Sequence, residues 1–509
     1  MLQRAAFLFV TLLAFSPAQS TNPGPLRFRI KLAPEAASEP VAGRMLVFMT
    51  NEPGSSEVID AGFEPGSTWV AALEFESIAP GQTVEFDPGV AAYPKPFSQA
   101  KPGRWQFMAL LDRDHDYSYT GRDAGDLYGP VVEAANINPA STEPVELALT
   151  KHGEAHPDPR RDDIKVVEYE SPSLTAFWGR PVTMRAAVVL PPGYDKEVQR
   201  QYPAVYFHHG FQGSYRDAWW QGIPLLRQMA AGKIMPSVMI FLDGSCPGGD
   251  HEFADSVNNG PWGRALTQEF VPYLEHEFRL IAKPSARFTT GHSSGGWASL
   301  WAQITYPDFY GGTWSTAPDP VDFRSFTGFN ATPGSKDNAY RKAGGNLRNL
   351  MRAKGKDLVS LEDFAHQEEV LGEYGGAFSS FEWVFSPHGP GGRPMKLFNR
   401  VTGVLDPQVT QAWQKYDIRL SLDRDWERLG PKLKGKLHII CGAEDTFHLE
   451  EAVNMLCAFL KEKGSNAACE IVPGRDHMDL YNPYKTYPEG LSIRIAKEMQ
   501  AKFEEAARH

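Results

Sequence analysis

Cysteine, positive charge and long apolar runs are all scarce in this chain of 509 residues. Its four cysteines do not have the spacing of a zinc site. Acidic residues outnumber basic ones by 62 to 51, which gives a net charge of −11, and there is no long basic run. This balance argues against nucleic acid or an anionic membrane surface as a partner. After the first twenty residues, no stretch is long and apolar enough to span a bilayer.

The N-terminal segment has the pattern of a secretory signal peptide. Arg4 supplies a positive charge, residues 5–15 form a short apolar run, and residues 16–20 provide small residues for cleavage. A membrane anchor is the alternative, but about eleven apolar residues are too few to cross a bilayer. We therefore expect residues 1–20 to be removed after Ser20 and the mature protein to be secreted or periplasmic.

Export to an oxidising compartment permits disulfide bonds. Cys457 lies on a predicted helix and Cys469 on the strand that follows it, so the two can meet. The alternative is that both are buried free thiols, which are also common.

Two regions with different patterns follow the signal segment. About 490 mature residues imply more than one domain, and a hydrophobic content of 42% is ample for packed cores. Residues 21–150 contain alternating or apolar runs at 26–32, 45–49 and 105–111, punctuated by Pro and Gly. This pattern predicts an all-β, sandwich-like domain. Residues 151–163 are polar and contain Pro, so they are predicted to be a linker.

From residue 164 to 509 the predicted strands alternate with helices, which is typical of a mainly parallel sheet. One apolar stripe predicts a helix over 264–279, in which Pro272 can introduce a kink. The predicted strands are 182–190, 204–208, 238–242, 287–290, 312–316, 437–440 and 468–472.

The stretch at about 320–420 interrupts this alternation and is predicted to be an insertion. Helical pieces are expected at 347–353 and 361–371. The aromatic residues at 381, 383 and 385 would lie on one face of a strand. Insertions in such folds often lie above the carboxyl ends of the strands, where ligands bind. We interpret this one as a cap that shapes the substrate pocket, with a peripheral structural role as the alternative.

The most informative motif is Gly291-His292-Ser293-Ser294-Gly295. It fits the Gly-x-Ser-x-Gly nucleophile elbow, in which a serine stands on a sharp strand-to-helix turn. The predicted strand before it and the predicted helix after it provide the required context. Glycine at both flanks avoids the clashes that a side chain would make at such a turn. The motif therefore predicts Ser293 as a nucleophile, and the alternative is a surface Gly/Ser turn.

A serine nucleophile needs a histidine base. In α/β-hydrolases the acid and then the histidine follow the serine along the chain. His477 lies in a loop after a late predicted strand, which makes it the candidate base. His438 points into a strand and is expected to be structural, and His448 is a weaker rival.

His477 follows the predicted strand 468–472. The acid is expected after the predicted strand that comes before it in the chain. The strand 437–440 is followed by Glu444 and Asp445. Asp445 is the candidate acid and Glu444 its rival. Asp476 is adjacent to the histidine, a spacing that rarely lets a carboxylate reach the imidazole.

The tetrahedral oxyanion needs two donors held in place. One is expected to be the backbone N–H of Ser294. The other is expected from the loop after strand 204–208, with the N–H of Phe211 first and that of Gln212 next. The pair His208-His209 could instead bind a metal, but it has no third ligand at a convincing spacing. We therefore expect no metal and no cofactor in the reaction.

Five features of the sequence can be compared together: Leu190-Pro191-Pro192-Gly193-Tyr194, Tyr202–Gly210, Gly291–Gly296, Gly442 with Asp445, and His477. Together they resemble the putative esterase family of α/β-hydrolases. The resemblance covers about 165–320 and 430–500, under half of the chain. It implies an α/β-hydrolase core, a metal-free serine triad and ester substrates, and the insertion and the β domain depart from it.

We therefore expect an exported serine carboxylic-ester hydrolase that acts through an acyl-serine intermediate. Sugar-linked, phenolic, siderophore and simple aliphatic esters all remain open as substrates. An acyltransferase with the same acyl-serine is one alternative, and a non-catalytic binding protein on the same scaffold is another.

A separate acidic motif lies in the predicted β domain. Asp112, Asp114 and Asp116 alternate, and Asp123 comes eleven residues after the first. Carboxylates at this spacing can bind calcium. However, Tyr117 stands where an EF-hand loop needs glycine, so a solvated acidic turn is the alternative.

Overall fold

A computed structural model describes residues 24–52, 58–372 and 374–508. The predicted signal peptide, residues 1–20, lies outside the described residues. Among the helices that are described, none combines the length and the apolar character needed to cross a membrane.

In the described part of the N-terminal region, ten strands are accompanied by a one-turn helix, α1 (Tyr117–Thr120), and a short 3-10 turn at Phe97–Gln99. Three strands form a small sheet in the order β4-β1-β9, and seven form a larger one in the order β10-β7-β6-β2-β3-β5, with β8 also paired to β6. The strands are β1 (Phe28–Leu32), β2 (Val41–Thr50), β3 (Trp69–Ile78), β4 (Thr83–Phe86), β5 (Ala92–Tyr93), β6 (Gly103–Asp112), β7 (Leu127–Tyr128), β8 (Val132–Ile137), β9 (Val145–Leu149) and β10 (Lys151–His152).

The two N-terminal sheets share a hydrophobic core. In β1, Phe28, Ile30 and Leu32 are buried while the residues between them are exposed, which is the period-two pattern of a half-buried strand. The Phe28 ring lies 5.2 Å from the ring of Phe107 on β6, so side chains of the small and the large sheet meet. Strand β10 extends the larger sheet into the stretch that was predicted to be a linker.

The rest of the chain has an eight-stranded central sheet in the order β11-β12-β14-β13-β19-β20-β23-β24. Its strands and the short strand pairs beside it are β11 (Ile164–Glu170), β12 (Thr183–Val189), β13 (Ala204–His208), β14 (Val238–Leu242), β15 (Ser245–Cys246), β16 (Gly249–Asp250), β17 (Asp255–Ser256), β18 (Gly260–Pro261), β19 (Arg287–His292), β20 (Gly312–Thr316), β21 (Asn349–Ala353), β22 (Lys356–Ser360), β23 (Leu437–Gly442) and β24 (Ala468–Val472). The helices are α2 (Pro172–Trp178), α3 (Gly222–Ala230), α4 (Trp262–Ala265), α5 (Val271–Glu277), α6 (Ser294–Thr305), α7 (Leu361–Leu371), α8 (Ala377–Phe385), α9 (Pro407–Trp413), α10 (Ile418–Arg424), α11 (Trp426–Lys432), α12 (Leu449–Glu462) and α13 (Leu491–Ala507).

The central sheet is mixed. The five pairings from β14 to β24 are parallel, whereas β11 with β12 and β12 with β14 are antiparallel. After β12 the chain forms β13 and then β14, and β14 lies between these two strands in the sheet. Strand β14 runs parallel to β13 and antiparallel to β12. Helices cover both faces, so central strands such as β14 are buried along their whole length and read as continuous apolar runs.

The helix predicted over 264–279 is interrupted. Helix α4 passes into α5 through one wide π-turn at Leu266–Phe270, and Pro272 stands in the first turn of α5. Proline has no N–H to donate, so it is tolerated at this position. The apolar side chains of Leu266, Phe270 and Leu274 are all buried in the core, as the stripe predicts.

Two predictions for the insertion are wrong. The helix predicted at 347–353 is absent, because these residues enter a β-hairpin formed by β21 and β22. Lys354 and Gly355 both have positive φ, 50° and 73°, as the central residues of a two-residue hairpin turn require. The aromatic stretch at 381–385 lies in helix α8 rather than in a strand, so Phe381 and Phe385 share a face and their rings lie 5.8 Å apart.

Helix α7 agrees with the helix predicted at 361–371. Its N-cap residue, Ser360, accepts a hydrogen bond from the backbone N–H of Asp363 at 3.0 Å. At its other end Val370 and Leu371 pack on the outer face of the larger N-terminal sheet, against residues such as Phe48. The insertion therefore bridges the N-terminal sheets and the central sheet.

The predicted pairing of Cys457 with Cys469 is confirmed. The two residues form a disulfide that joins α12 to β24, with their Cα atoms 6.1 Å apart. Cys246 and Cys441 are free thiols.

Trp383 tests whether the aromatic stretch of the insertion is structural. Its side chain is buried, stacks on the ring of Tyr374, and leaves so little room at Gly248 that a Cβ there would lie 2.7 Å from Trp383 Cγ. We expect Trp383→Ala to lower the free energy of unfolding by about 3–5 kcal/mol, as for a tryptophan lost from a core.

Urea unfolding monitored by circular dichroism measures this change. Trp220→Ala is the control, because Trp220 is 66% exposed and its loss should change stability by less than about 0.5 kcal/mol. Equal stability of the two variants, with a shift in ester preference only in Trp383→Ala, would instead favour a pocket role for Trp383.

Candidate active site

Ser293 stands at the sharp turn between β19 and α6. Its φ and ψ are 59° and −124°, an unusual conformation for a residue other than glycine. The backbone holds this shape because the Ser293 N–H donates to the carbonyl of Thr316 at 3.1 Å, and the Ser293 carbonyl accepts from the N–H of Trp297 at 3.0 Å. A Cβ at Gly295 would lie 2.0 Å from the His208 carbonyl oxygen, and one at Gly291 would lie 2.2 Å from the Gly295 carbonyl oxygen. Only glycine fits at either flank.

The structure brings His477 and Asp445 together at the same edge of the sheet. His477 Nδ1 lies 2.8 Å from Asp445 Oδ2, and both side chains are buried. Asp445 follows β23 and His477 follows β24, so neighbouring parallel strands place them side by side. The other carboxylate oxygen of Asp445 accepts the backbone N–H of Phe447 at 2.9 Å, which fixes the carboxylate. Glu444, by contrast, is exposed to solvent.

The charges of this pair are mutually stabilised. Burial alone would lower the pKa of His477, but the charge of Asp445 and its hydrogen bond outweigh burial, and the pKa is raised above its usual value. Burial would raise the pKa of Asp445, but the histidine and the Phe447 N–H lower it below its usual value. Asp445 is therefore an anion suited to orienting the imidazole and stabilising an imidazolium.

The histidine lies beside the elbow. The ring of His477 is 4.3 Å from the ring of His292, the residue that immediately precedes Ser293. Burial and then the neighbouring His477 lower the pKa of His292 to about 3, so His292 stays neutral. On its other side His477 contacts the ring of Phe447 at 5.0 Å.

Phe447 continues into an aromatic cluster built from three parts of the chain. The ring of Phe63, from the N-terminal region, lies 6.3 Å from Phe447, 5.0 Å from Phe364 of α7 and 5.9 Å from Phe211 of the predicted oxyanion loop. The sequence gives no signal for Phe63, because its contacts are to residues more than a hundred positions away. This cluster borders a cavity of about 360 Å³ between these parts.

Asp319 is a site residue that sequence reasoning missed. Its carboxylate accepts hydrogen bonds from Ser293 Oγ at 3.3 Å and from Ser294 Oγ at 2.7 Å. Burial raises the pKa of Asp319 to about 6. Asp319 follows β20 and belongs to no recognised motif, so only the fold brings it to Ser293.

The loop that carries Phe211, one of the two predicted oxyanion donors, lies beside Ser293. The loop after β13 folds into a four-residue turn, Gly210–Gly213, closed by a hydrogen bond from the Gly213 N–H to the Gly210 carbonyl at 2.9 Å. A Cβ at Gly210 would lie 3.5 Å from Ser293 Cβ, so the turn and Ser293 are in contact. Within the described parts of the chain, no hydrogen bond is donated by the backbone N–H of Phe211 or of Ser294.

The two neighbouring histidines, His208 and His209, are buried. His209 Nε2 accepts the N–H of Gly244 at 2.7 Å, so its Nδ1 carries the proton and donates to the Gly210 carbonyl at 2.8 Å. Burial lowers the pKa of His208 to about 3. Among the described residues, the clusters with metal-ligand geometry contain neither histidine.

The acidic motif of the N-terminal region is also assembled. Ligand oxygens of Asp114, Asp116 and Asp123 lie within 4.8 Å of one another, and so do those of Asp112, Asp114 and Asp126. Asp112 also accepts the backbone N–H groups of His115 and Tyr117, which is the behaviour of a structural turn. Calcium binding stays a prediction.

Comparison with known proteins gives a family match. A family model described as putative esterase matches residues 181–477, which is more than half of the chain. Among curated proteins, none matches.

Several solved structures are remotely similar. An S-formylglutathione hydrolase from Agrobacterium tumefaciens is 16% identical, covers 67% of this chain and 94% of its own, and has a TM-score of 0.38. A ferulic acid esterase from Anaeromyces mucronatus in complex with ferulic acid is 16% identical, with 68% and 94% covered and a TM-score of 0.35. An esterase from Pyrobaculum calidifontis is 14% identical, with 67% and 85% covered and a TM-score of 0.39.

The two candidate acids can be separated by amide substitution. We expect Asp445→Asn to lower kcat on the order of 10³–10⁴-fold, because an amide neither fixes the tautomer of His477 nor stabilises its charged form. Since Asp445 raises the pKa of His477, the acid limb of the kcat/KM profile should also move to lower pH.

Glu444→Gln is the matched control, because it neutralises the adjacent, exposed carboxylate. Its kcat and its pH profile should stay close to those of the wild type. A larger loss in Glu444→Gln than in Asp445→Asn would identify Glu444 as the acid instead.

Proposed function

The chain belongs to the putative esterase family and is a serine esterase, and we propose that it hydrolyses carboxylic esters through Ser293, His477 and Asp445. The observation that carries this proposal is the buried contact of 2.8 Å between His477 Nδ1 and Asp445 Oδ2, beside the elbow that presents Ser293. The three side chains follow β19, β23 and β24 at one edge of the sheet, in the chain order serine, acid, histidine.

The proposed reaction proceeds in two halves. In the first, His477 Nε2 takes the proton from Ser293 as its Oγ attacks the ester carbonyl, and then gives that proton to the leaving alcohol. The product of this half is an acyl-serine. In the second half a water molecule attacks the acyl-serine, with His477 again taking and returning a proton, and the carboxylic acid is released.

The oxyanion formed in each half is proposed to accept hydrogen bonds from the N–H groups of Phe211 and Ser294. Support comes from the contact between the Gly210–Gly213 turn and Ser293, and from the place of Ser294 directly after Ser293. Within the described residues, neither N–H group has another hydrogen-bond acceptor. Donors that are fixed before the reaction stabilise the developing charge without reorganisation.

We also propose that the chain is exported and has two domains. The predicted signal at residues 1–20 supports export, and the disulfide between Cys457 and Cys469 is compatible with an oxidising compartment. The separate core of the N-terminal sheets supports a β domain over 21–150, and residues 153–163 lie outside helices and strands, as a linker would. The hydrolase domain would then cover 164–509.

Covalent labelling tests the nucleophile. A fluorophosphonate should modify the wild type at Ser293, and Ser293→Ala should abolish that labelling and lower kcat by about 10⁶-fold, by comparison with serine hydrolases in general. Labelling is read by mass spectrometry of the tryptic peptide.

Ser294→Ala is the control for this experiment. It removes the adjacent hydroxyl but keeps the backbone N–H proposed as an oxyanion donor, so the variant should still be labelled. Near-normal ester cleavage by Ser293→Ala would overturn the proposed mechanism.

A further inference from the structure

We propose that the N-terminal β region is part of the catalytic apparatus, with Tyr119 as a positioning residue for the oxyanion hole. This inference rests on the proposed function, because it concerns the turn that carries the Phe211 N–H. We call Gly210–Gly213 the oxyanion turn. Helix α1 contacts the oxyanion turn, although it lies more than ninety positions earlier in the chain.

Every residue of the oxyanion turn after Gly210 contacts α1. Tyr119 Oη donates a hydrogen bond to the carbonyl of Gly213 at 3.1 Å. Gln212 Nε2 donates to the carbonyl of Ser118 at 2.9 Å. The ring of Phe211 meets the ring of Tyr119 edge to face, with centroids 5.2 Å apart and an interplanar angle of 89°. Two hydrogen bonds and one ring contact thus surround the proposed oxyanion donor.

The oxyanion turn needs such support because its backbone is unfavourable. Gln212 has a φ of 63°, in the left-handed region that disfavours residues other than glycine. The hydrolase side holds the start of the turn, since the Gly210 carbonyl accepts from both the Gly213 N–H and His209 Nδ1. The contacts from α1 hold the other end, at Gln212 and Gly213.

Helix α1 is itself fixed to the larger N-terminal sheet. The carboxylate of Asp112, the last residue of β6, accepts the N–H of His115 at 2.7 Å and that of Tyr117 at 3.3 Å. The side chain of Tyr119 is 6% exposed. The position of the oxyanion turn is therefore linked through α1 to a sheet that lies outside the hydrolase fold.

A small displacement of the turn should affect the chemical step more than substrate binding. The N–H of Phe211 is proposed to bond the oxyanion, which develops only as the carbonyl is attacked. If Tyr119 holds that N–H in place, weakening the contact should lower kcat and leave KM nearly constant. The contact between His477 and Asp445 does not involve α1, so the acid limb of the pH profile should not move.

The experiment compares two Tyr→Phe variants on the same helix. Tyr119→Phe keeps the ring and removes only the hydroxyl that bonds Gly213. Tyr117→Phe is the matched control, because Tyr117 is equally buried but its hydroxyl lies by the backbone of Ala61 instead. We expect kcat to fall about tenfold in Tyr119→Phe, less than the loss of a whole oxyanion donor, and to stay unchanged in Tyr117→Phe.

Three further readouts separate positioning from general damage. The rate of fluorophosphonate labelling should fall by the same factor in Tyr119→Phe, because the phosphoryl oxygen occupies the oxyanion hole. KM for a small ester and the acid limb of the kcat/KM profile should match the wild type. Gln212→Ala removes the second hydrogen bond to α1 by a change on the hydrolase side and leaves the sequence of the β region intact. It should also lower kcat at constant KM, and it decides the matter if Tyr119→Phe does not fold.

The outcomes distinguish this inference from the function on which it rests. If the wild type is not labelled at Ser293, the proposed function fails. If it is labelled but Tyr119→Phe and Gln212→Ala match the wild type in kcat, only the positioning role is overturned. An equal fall in Tyr117→Phe, or a shift of the acid limb in Tyr119→Phe, would also overturn it, because either would indicate a general disturbance.

Discussion

The constraint on which the site depends is the crowding where β13 and β19 end. A Cβ at Gly295 would overlap the His208 carbonyl, and one at Gly291 would overlap Gly295 itself. Two parallel strands can therefore bring Ser293 and the Gly210–Gly213 turn to the same place only if glycine stands at these positions. As a result the backbone is strained at Ser293 and at Gln212. Hydrogen bonds with Thr316 and Trp297 hold the backbone of Ser293 in shape, and a hydrogen bond with α1 holds Gln212.

Burial then sets the electrostatics around this strained centre. Asp445 and His477 are removed from water together, so each stabilises the charged form of the other against the cost of burial. Asp319 has no such cation at hydrogen-bonding distance among the described residues; it accepts two serine hydroxyls, and burial raises its pKa. The pKa values of Asp319, which follows β20, and Asp445, which follows β23, are thus shifted in opposite directions. The carboxyl group with the lowered pKa is that of Asp445, which is bonded to histidine.

The parts of the site that local patterns encode could be predicted, and the parts that depend on distant contacts could not. The elbow is a local motif, and Asp445 and His477 each follow a predicted strand, so the structure places them where the chain order suggested. Asp319, Phe63 and Tyr119 have no local signature, because their roles come from contacts across the fold. The error at α8 has a different cause: the aromatic residues at 381 and 385 fit both the period of a strand and that of a helix. At 349–360, the turn at Lys354-Gly355 was the missed signal.

The most direct test of the account is to trap the acyl-serine during turnover. The protein is mixed with an ester whose acyl group leaves serine slowly, quenched in acid within the first turnovers, digested, and analysed by peptide mass spectrometry. The account predicts that the peptide containing Ser293 gains the mass of the acyl group, and that this species decays as the free acid appears. Release of the free acid during turnover with no acylated peptide at any time, or with the acyl group on another residue, would contradict the account.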